Sequence, residues 1–374
     1  MLTNWAATRR MQARYEEAEQ LYKQALRLRQ TDSGSDRDDA APTLEGLTIL
    51  YLNEGNSEKA EEFARRMLVV REKNTQAPAE IAGALNTLCL VLLNENRFDE
   101  AEVLARRALD LLAKSSQSFD EQTGAALNTL GRICLARSQV SAAEQYFERA
   151  AQATVRALGA QSVSTAAIWN NWGRAKAAGG DWQTAIKLFG RSANTFKTIY
   201  GESHPDVASA LTSVAGVYCS RRKYAAAEQL YKRALEIDRK TFGDSNPKVA
   251  SDFGNLGAVA FRRHHFAQAE ELISRALKVQ ETTLRPDHPD IGLTAGNLAT
   301  VYWREKKFKE AAPLLARATA IRQHAHGLWD PSLAHLLSEY ASVLRSDNQF
   351  SEAAKVEMQA NAIQMRHLLH PSMR

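Results

Sequence analysis

The stretch AEQLYKRAL, from Ala227 to Leu235, contains the pattern that decides the fold. Its first alanine is one of nine that recur along the chain at intervals of 42 residues, with a single interval of 41. A fixed period of this length indicates an array of one repeated unit instead of a single globule. The nine positions are Ala18, Ala60, Ala101, Ala143, Ala185, Ala227, Ala269, Ala311 and Ala353.

Two further positions recur at fixed distances from this alanine. An anchor residue, usually aromatic, precedes it by three residues, and a small residue precedes the anchor by nine. Where two helices cross closely, larger side chains would force their backbones apart. We therefore expect the two small positions to face each other, with the anchor ring filling the space beside them. The anchors are Tyr15, Ser57, Phe98, Val140, Trp182, Tyr224, Phe266, Phe308 and Phe350, and the small residues are Ala6, Thr48, Cys89, Gly131, Gly173, Ala215, Gly257, Ala299 and Ala341.

Prolines and glycines mark the ends of the predicted helices. A polar residue directly before a proline is typical of an N-cap followed by the first helical position. A glycine is typical of the residue at which a helix stops. Each unit is thus predicted to contain a first helix, a polar turn and a second helix that begins at the anchor. The caps are His204, Asn246, His288 and Asp330, and the stops are Gly201, Gly243 and Gly327.

The composition is typical of a helical, soluble protein. Apolar residues make up 44% of the chain, and only 9 of its 374 residues are prolines. Arg9 and Arg10 interrupt the apolar face of the first residues, so a signal peptide is not indicated, and we expect a cytoplasmic protein. The net charge of +5 is mild for so long a chain. No metal or cofactor is expected, because the cysteine spacings suit neither a metal site nor a disulfide framework; these residues are Cys89, Cys134 and Cys219.

Four segments resemble a known family: AEQLYKRAL at Ala227–Leu235, GESHPDVA at Gly201–Ala208, and LNTL at both Leu85–Leu88 and Leu127–Leu130. They are similar to the tetratricopeptide repeat (TPR), specifically the 42-residue variety found in kinesin light chains and related scaffolds. The resemblance implies an all-α fold: a right-handed α-solenoid, or superhelix, of about nine helix-turn-helix units in a single domain over residues 1–374. The units span approximately 1–40, 41–81, 82–123, 124–165, 166–207, 208–249, 250–291, 292–333 and 334–374.

The resemblance also implies where a partner binds. In such solenoids the first helices line an inner groove, at positions twelve, eleven, eight, five and four before each anchor. A carboxamide can both donate to and accept from an extended peptide backbone, and a guanidinium group selects carboxylates. We therefore expect a protein or peptide partner, with acidic residues, held in the groove by an asparagine ladder and arginines. The candidate residues are Asn86, Asn128, Arg132, Asn170, Asn171, Arg174, Asn255, Arg262, Asn297, Trp303 and Arg304.

Other interpretations of these residues stay open. Asparagines on a helix face are often solvated or bonded to an adjoining helix, and arginines in a last helical turn gain from the helix dipole. Basic pairs recur at the turns, as in Arg262–Arg263 and Lys306–Lys307, so a rim that binds RNA or another polyanion is an alternative. Few aromatic residues are left to stack on bases, which makes nucleic acid the weaker hypothesis.

No motif typical of catalysis is present in the sequence. It contains no phosphate-binding P-loop, no Gly-x-Ser-x-Gly elbow and no His-Glu-x-x-His helix, so we expect a protein that is not an enzyme. The run from Leu368 to Ser372 resembles the start of another unit. This suggests self-association through an open solenoid end, or a chain that is the sensing fragment of a larger signalling protein.

Overall fold

The computed structural model describes residues 1–11, 14–30, 36–54, 56–74, 77–95, 97–114 and 120–369. These residues form eighteen α-helices, and no strand occurs among them. The predicted all-α fold is confirmed: the helices follow one another as antiparallel pairs, which is the organisation of an α-solenoid. Residues 370–374, on which the expectation of a further unit partly rests, lie outside the described residues.

The helices fall into two compact units, Met1–Val217 and Tyr218–Arg374. In the first, the helices are α1 Leu2–Met11, α2 Tyr15–Arg27, α3 Ala41–Asn53, α4 Ser57–Asn74, α5 Pro78–Asn94, α6 Phe98–Ala113, α7 Asp120–Ala136, α8 Val140–Leu158, α9 Val163–Ala178, α10 Trp182–Tyr200 and α11 Pro205–Ser220, whose last residues belong to the second unit. The second unit continues with α12 Tyr224–Phe242, α13 Pro247–Arg262, α14 Phe266–Thr283, α15 Pro289–Arg304, α16 Phe308–His326, α17 Pro331–Ser346 and α18 Phe350–Leu369.

The predicted helix boundaries are confirmed at both ends. Each of the nine second helices begins at its anchor residue. The side chain of Asn246 accepts a hydrogen bond from the backbone N–H of Lys248 at 2.8 Å, as an N-cap does. Gly243 follows the end of α12 with a φ of +77°, a conformation that side chains with a Cβ rarely adopt. Local sequence signals therefore determine these helix starts and stops.

The close helix crossings are confirmed, but the side chain that fills them is not the predicted one. A methyl group on Gly131 would lie 2.7 Å from the ring of Phe147, and one on Gly173 would lie 2.6 Å from the ring of Phe189. Both phenylalanines are seven residues after an anchor and are buried. The anchors themselves lie at the start of a helix, nearer its edge, so their rings are half-buried, and Phe350 is 64% exposed.

Ion pairs between neighbouring repeats form a recurring feature that the sequence reading missed. In these pairs, the glutamate directly after one of the nine recurring alanines accepts a hydrogen bond from a basic residue at or near the turn of the next repeat. Examples are Arg97 with Glu61 at 2.7 Å and Lys307 with Glu270 at 2.7 Å. The same arrangement joins Arg137 with Glu102, Lys176 with Glu144, and Arg263 with Glu228. These pairs connect each of these repeats to the next one.

Candidate functional site

The predicted groove residues differ in their exposure. All lie on first helices, as expected from their spacing before the anchors. The half-buried ones are Asn86, Asn128, Arg132, Asn170, Asn171, Asn255 and Trp303. The exposed ones are Arg174, Arg262, Asn297 and Arg304.

Four of these residues are brought together in the N-terminal unit. Asn128 and Arg132 lie one helical turn apart on α7, and Asn171 and Arg174 lie on α9 of the next repeat. The Nδ2 of Asn171 donates to the Oδ1 of Asn128 at 3.0 Å. The open alternative of a bond to the adjoining helix therefore holds for this pair. Each amide still keeps capacity: the NH₂ of Asn128 and the carbonyl of Asn171 remain for a ligand.

A cleft of about 250 Å³ lies beside this amide pair. Arg132, Asn171 and Arg174 supply its polar lining, and Phe98 and Phe147 contribute aromatic walls. Among the described residues, no carboxylate forms an ion pair with either arginine. Burial, and next the charge of Arg174, lowers the pKa of Arg132 from its ordinary value. Two like charges facing one partly desolvated cleft are unfavourable unless an anion joins them.

The carbonyl oxygens of Asn86 and Asn170 are placed differently. Both Oδ1 atoms are shielded from solvent and have no hydrogen-bond partner within the described chain. In this conformation neither oxygen can accept a hydrogen bond from a ligand in solution. The predicted asparagine ladder is thus uneven: Asn171 lines the cleft and is held by its hydrogen bond to Asn128, whereas the carbonyl oxygens of Asn86 and Asn170 are buried.

In the C-terminal unit, Trp303 lines a second cleft, of about 440 Å³. Its other walls come from α17 and α18, and include Ala334, Ser338, Glu339 and Gln364. The guanidinium carbon of Arg304 lies 5.5 Å from the centroid of the Trp303 ring. No hydrogen bond within the described residues connects Asn255, Arg262 or Asn297 to another predicted site residue. Ser338 and Glu339 lie twelve and eleven residues before the anchor Phe350, which are groove positions by spacing, but Gln364 lies on a second helix and could not be found that way.

The basic turns carry less free charge than their sequence suggests. Arg263 is paired with Glu228, and Lys307 is paired with both Glu270 and Glu305. Half of each predicted basic pair is therefore neutralised within the array, which weakens the polyanion interpretation.

No group of three or more His, Cys, Asp or Glu side chains suited to a metal ion occurs in the part of the chain that the structure describes. Cys89 is buried, and burial raises the pKa of its thiol to about 12, so it is a packing residue. Among the described helices, none combines the length and the apolar character that a bilayer crossing requires.

Among the solved structures that resemble this chain, one with a TM-score above 0.5 supports the fold. A Rap protein complexed with Competence and Sporulation Factor is 10% identical, with 88% of this chain and 98% of that chain aligned at a TM-score of 0.56. BtubC (BKLC) from P. vanneervenii is 20% identical over 62% of this chain and 91% of its own, at a TM-score of 0.49. A kinesin light chain type protein from Podosopora anserina, with nearly identical TPR-like repeats, is 22% identical over 55% of this chain and 97% of its own, at a TM-score of 0.46.

Sequence comparison gives the family. No curated protein matches the chain. A family model described as the tetratricopeptide repeat matches residues 1–73, 80–154, 164–240 and 249–324, which together make up most of the chain. These matches agree with the eighteen paired helices and the buried small residues at their crossings. The chain belongs to the tetratricopeptide repeat family.

Proposed function

We propose that this protein is a non-catalytic scaffold that binds an extended, acidic peptide segment of a partner protein on its first helices. The observation that carries the proposal is the pair Arg132 and Arg174, which share one cleft with no carboxylate partner among the described residues. A partner carboxylate would remove their mutual repulsion and accept forked hydrogen bonds.

The amide pair supplies the second element of recognition. The NH₂ of Asn128 donates to a peptide carbonyl, and the carbonyl of Asn171 accepts from a peptide N–H, while their mutual hydrogen bond holds both groups in place. Backbone contacts of this kind accept many sequences, so the arginines provide the selectivity for acidic residues. A Rap protein of similar fold is complexed with Competence and Sporulation Factor, which is consistent with ligand binding by such an array.

The proposal can be tested by fluorescence anisotropy with two labelled Gly-Ser peptides, one carrying spaced glutamates and the other glutamines. The wild-type chain should prefer the glutamate peptide. Arg132→Gln and Arg174→Gln should each weaken that binding about 10-fold or more, since a charge-assisted hydrogen bond contributes about 1.5–3 kcal/mol. Arg149→Gln, an exposed arginine on α8 outside the cleft, is the matched control.

A stability measurement separates this function from a structural role. Because Arg132 is partly desolvated beside another cation, Arg132→Gln should leave the thermal midpoint unchanged or raise it while it weakens binding. Equal affinity for the two peptides, or a variant that binds as tightly as the wild type, would contradict the proposal.

A polyanion on the basic rim is the second candidate. Exposed Arg221, Arg222 and Lys223 favour it, and the ion pairs at Arg263 and Lys307 disfavour it. Replacing Arg222 and Lys223 by alanine should reduce the salt dependence of RNA binding if this function is real. Cytoplasmic location, self-association, and handedness of the superhelix stay predictions from the sequence.

A further inference from the structure

The second cleft differs in chemistry from the arginine cleft. It lies wholly within the C-terminal unit, where α15 contributes Trp303, α17 contributes Ser338, Glu339 and Ser342, and α18 contributes Gln364. Its volume of about 440 Å³ exceeds that of a single amino-acid side chain. The cleft is therefore large enough to take a long side chain of a partner.

The hydroxyl groups in the cleft have already used their protons. Ser338 donates to the carbonyl oxygen of Ala334 at 2.9 Å, and Ser342 donates to the carbonyl oxygen of Ser338 at 2.9 Å. Each hydroxyl oxygen therefore offers only lone pairs to a ligand. Three lining groups can donate: the amide of Gln364, the indole N–H of Trp303 and the imidazole of His335. The carboxylate of Glu339 and the two serine oxygens only accept, so together they favour a ligand that donates hydrogen bonds.

The charge of the cleft points to a cation. Within the described residues, the basic group at ion-pair distance from Glu339 is His335, whose Nδ1 lies 3.7 Å from Oε1 and whose side chain is 78% exposed. Arg345, the nearest arginine along the helix, is paired with Glu357 instead. The carboxylate of Glu339 thus keeps acceptor capacity beside an aromatic ring.

The indole of Trp303 supplies an attractive surface for such a cation. The guanidinium of Arg304 already lies over this ring, 5.5 Å from its centroid, which places a cation near the indole within the chain itself. A planar guanidinium can stack on a ring and donate two N–H groups to a carboxylate at the same time, whereas an ammonium group acts as a point charge.

We propose that this cleft binds an arginine side chain of a peptide partner, with the guanidinium between Trp303 and Glu339. The inference is independent of the acidic-peptide function, because it concerns another unit and a ligand of opposite charge. A partner segment with this arginine is selected by the carboxylate and the ring, and the serine oxygens accept its remaining N–H groups.

The test uses the full chain labelled with ¹⁵N at tryptophan, which gives one indole N–H signal for each of its 6 tryptophans. Trp303→Phe assigns the signal of interest. A Gly-Ser peptide with one arginine should shift that signal on titration, and the same peptide with citrulline, which keeps the shape without the charge, should not.

Glu339→Gln should weaken the arginine peptide about 5- to 10-fold, since it replaces a charge-assisted hydrogen bond by a neutral one. Glu310→Gln, an exposed residue on α16 outside the cleft, is the control and should not change the affinity. Equal shifts with arginine and citrulline, an unmoved Trp303 signal, or a Glu339→Gln chain that binds as well as the wild type would overturn the proposal. Loss of glutamate-peptide binding in Arg132→Gln is read separately and does not depend on these signals.

Discussion

Two glycines three residues apart on α13 test whether close helix crossings determine the small residues of the repeat. A methyl group on Gly254 meets no heavy atom within 4 Å. The same group on Gly257 would lie 2.5 Å from Cγ1 of Ile273 and 3.2 Å from its Cδ1. Isoleucine is β-branched and stiff at χ1, so it cannot turn aside easily, and α14 would have to shift.

The magnitudes follow from two opposing effects. Replacing glycine by alanine inside a helix gains about 1 kcal/mol of helix propensity at either position. Overpacking at the crossing costs about 1–3 kcal/mol at Gly257 alone. Gly254→Ala should therefore raise the free energy of unfolding by about 1 kcal/mol, and Gly257→Ala should change it by between zero and a loss of about 2 kcal/mol. Helix propensity cancels in the difference, which reports the crossing directly.

Urea unfolding followed by far-UV circular dichroism compares the two variants, and hydrogen exchange at the amides of α13 and α14 localises the effect. The local measurement matters because repeat arrays can unfold in segments instead of in one step. If both variants were stabilised to the same extent, the crossing would not restrict residue size, and the explanation given for Gly131 and Gly173 would also fail.

Two further predictions concern stability. Burial, and then the charge of Asp238, raises the pKa of Asp252 to about 8. The unfolded chain ionises this carboxyl near pH 4, whereas the folded chain does so near pH 8. The free energy of unfolding should therefore fall as the pH rises across that interval. Asp252→Asn should flatten this slope in thermal melts at successive pH values, and an unchanged slope would contradict the assignment. Arg222 has a φ of +57° at the turn, a left-handed conformation that is unfavourable for a residue with a Cβ. Arg222→Gly should therefore raise the free energy of unfolding by about 0.5–1 kcal/mol. Gly180 has a φ of +83°, so Gly180→Ala should lower the free energy of unfolding. Urea midpoints measure both, and a loss of stability in Arg222→Gly would refute the strain.

Where the sequence carries an anchor, a cap before proline or a terminal glycine, the start or end of the helix could be predicted because these signals are local. A proline such as Pro331, preceded by Asp330, fixes a first helical position through its own φ and its cap. The anchor Phe266 follows a turn in which His264, two residues before the anchor, has a φ of +64°. Both signals act within a few residues and depend little on the rest of the fold.

The side-chain contacts at the helix crossings could not be predicted from the sequence, because they join residues on two different helices. The side chain that meets Gly131 is Phe147, sixteen residues later on another helix, and its counterpart at the crossing of Gly257 is Ile273. The residue type varies at this position, seven residues after the anchor, so it shows no repeating pattern. The anchor is more often aromatic, and the sequence therefore predicted the anchor as the contact. For asparagine, the sequence left a bond to an adjoining helix open, but it could not identify Asn128 and Asn171 as the pair, since that depends on which rotamers two neighbouring repeats allow.

Specificity in a periodic array comes from the positions that break the period. Eight residues before the anchor, the sixth, seventh and eighth repeats carry the small residues Gly216, Ala258 and Thr300, but the fourth and fifth carry Arg132 and Arg174. Small residues leave this position uncharged, while the consecutive arginines place two charges there that no carboxylate of the described residues neutralises. Stacking requires neither arginine, because the repeats without them pack by the same buried alanines. We therefore propose that these arginines serve a ligand, and we expect their replacement to affect binding without loosening the fold.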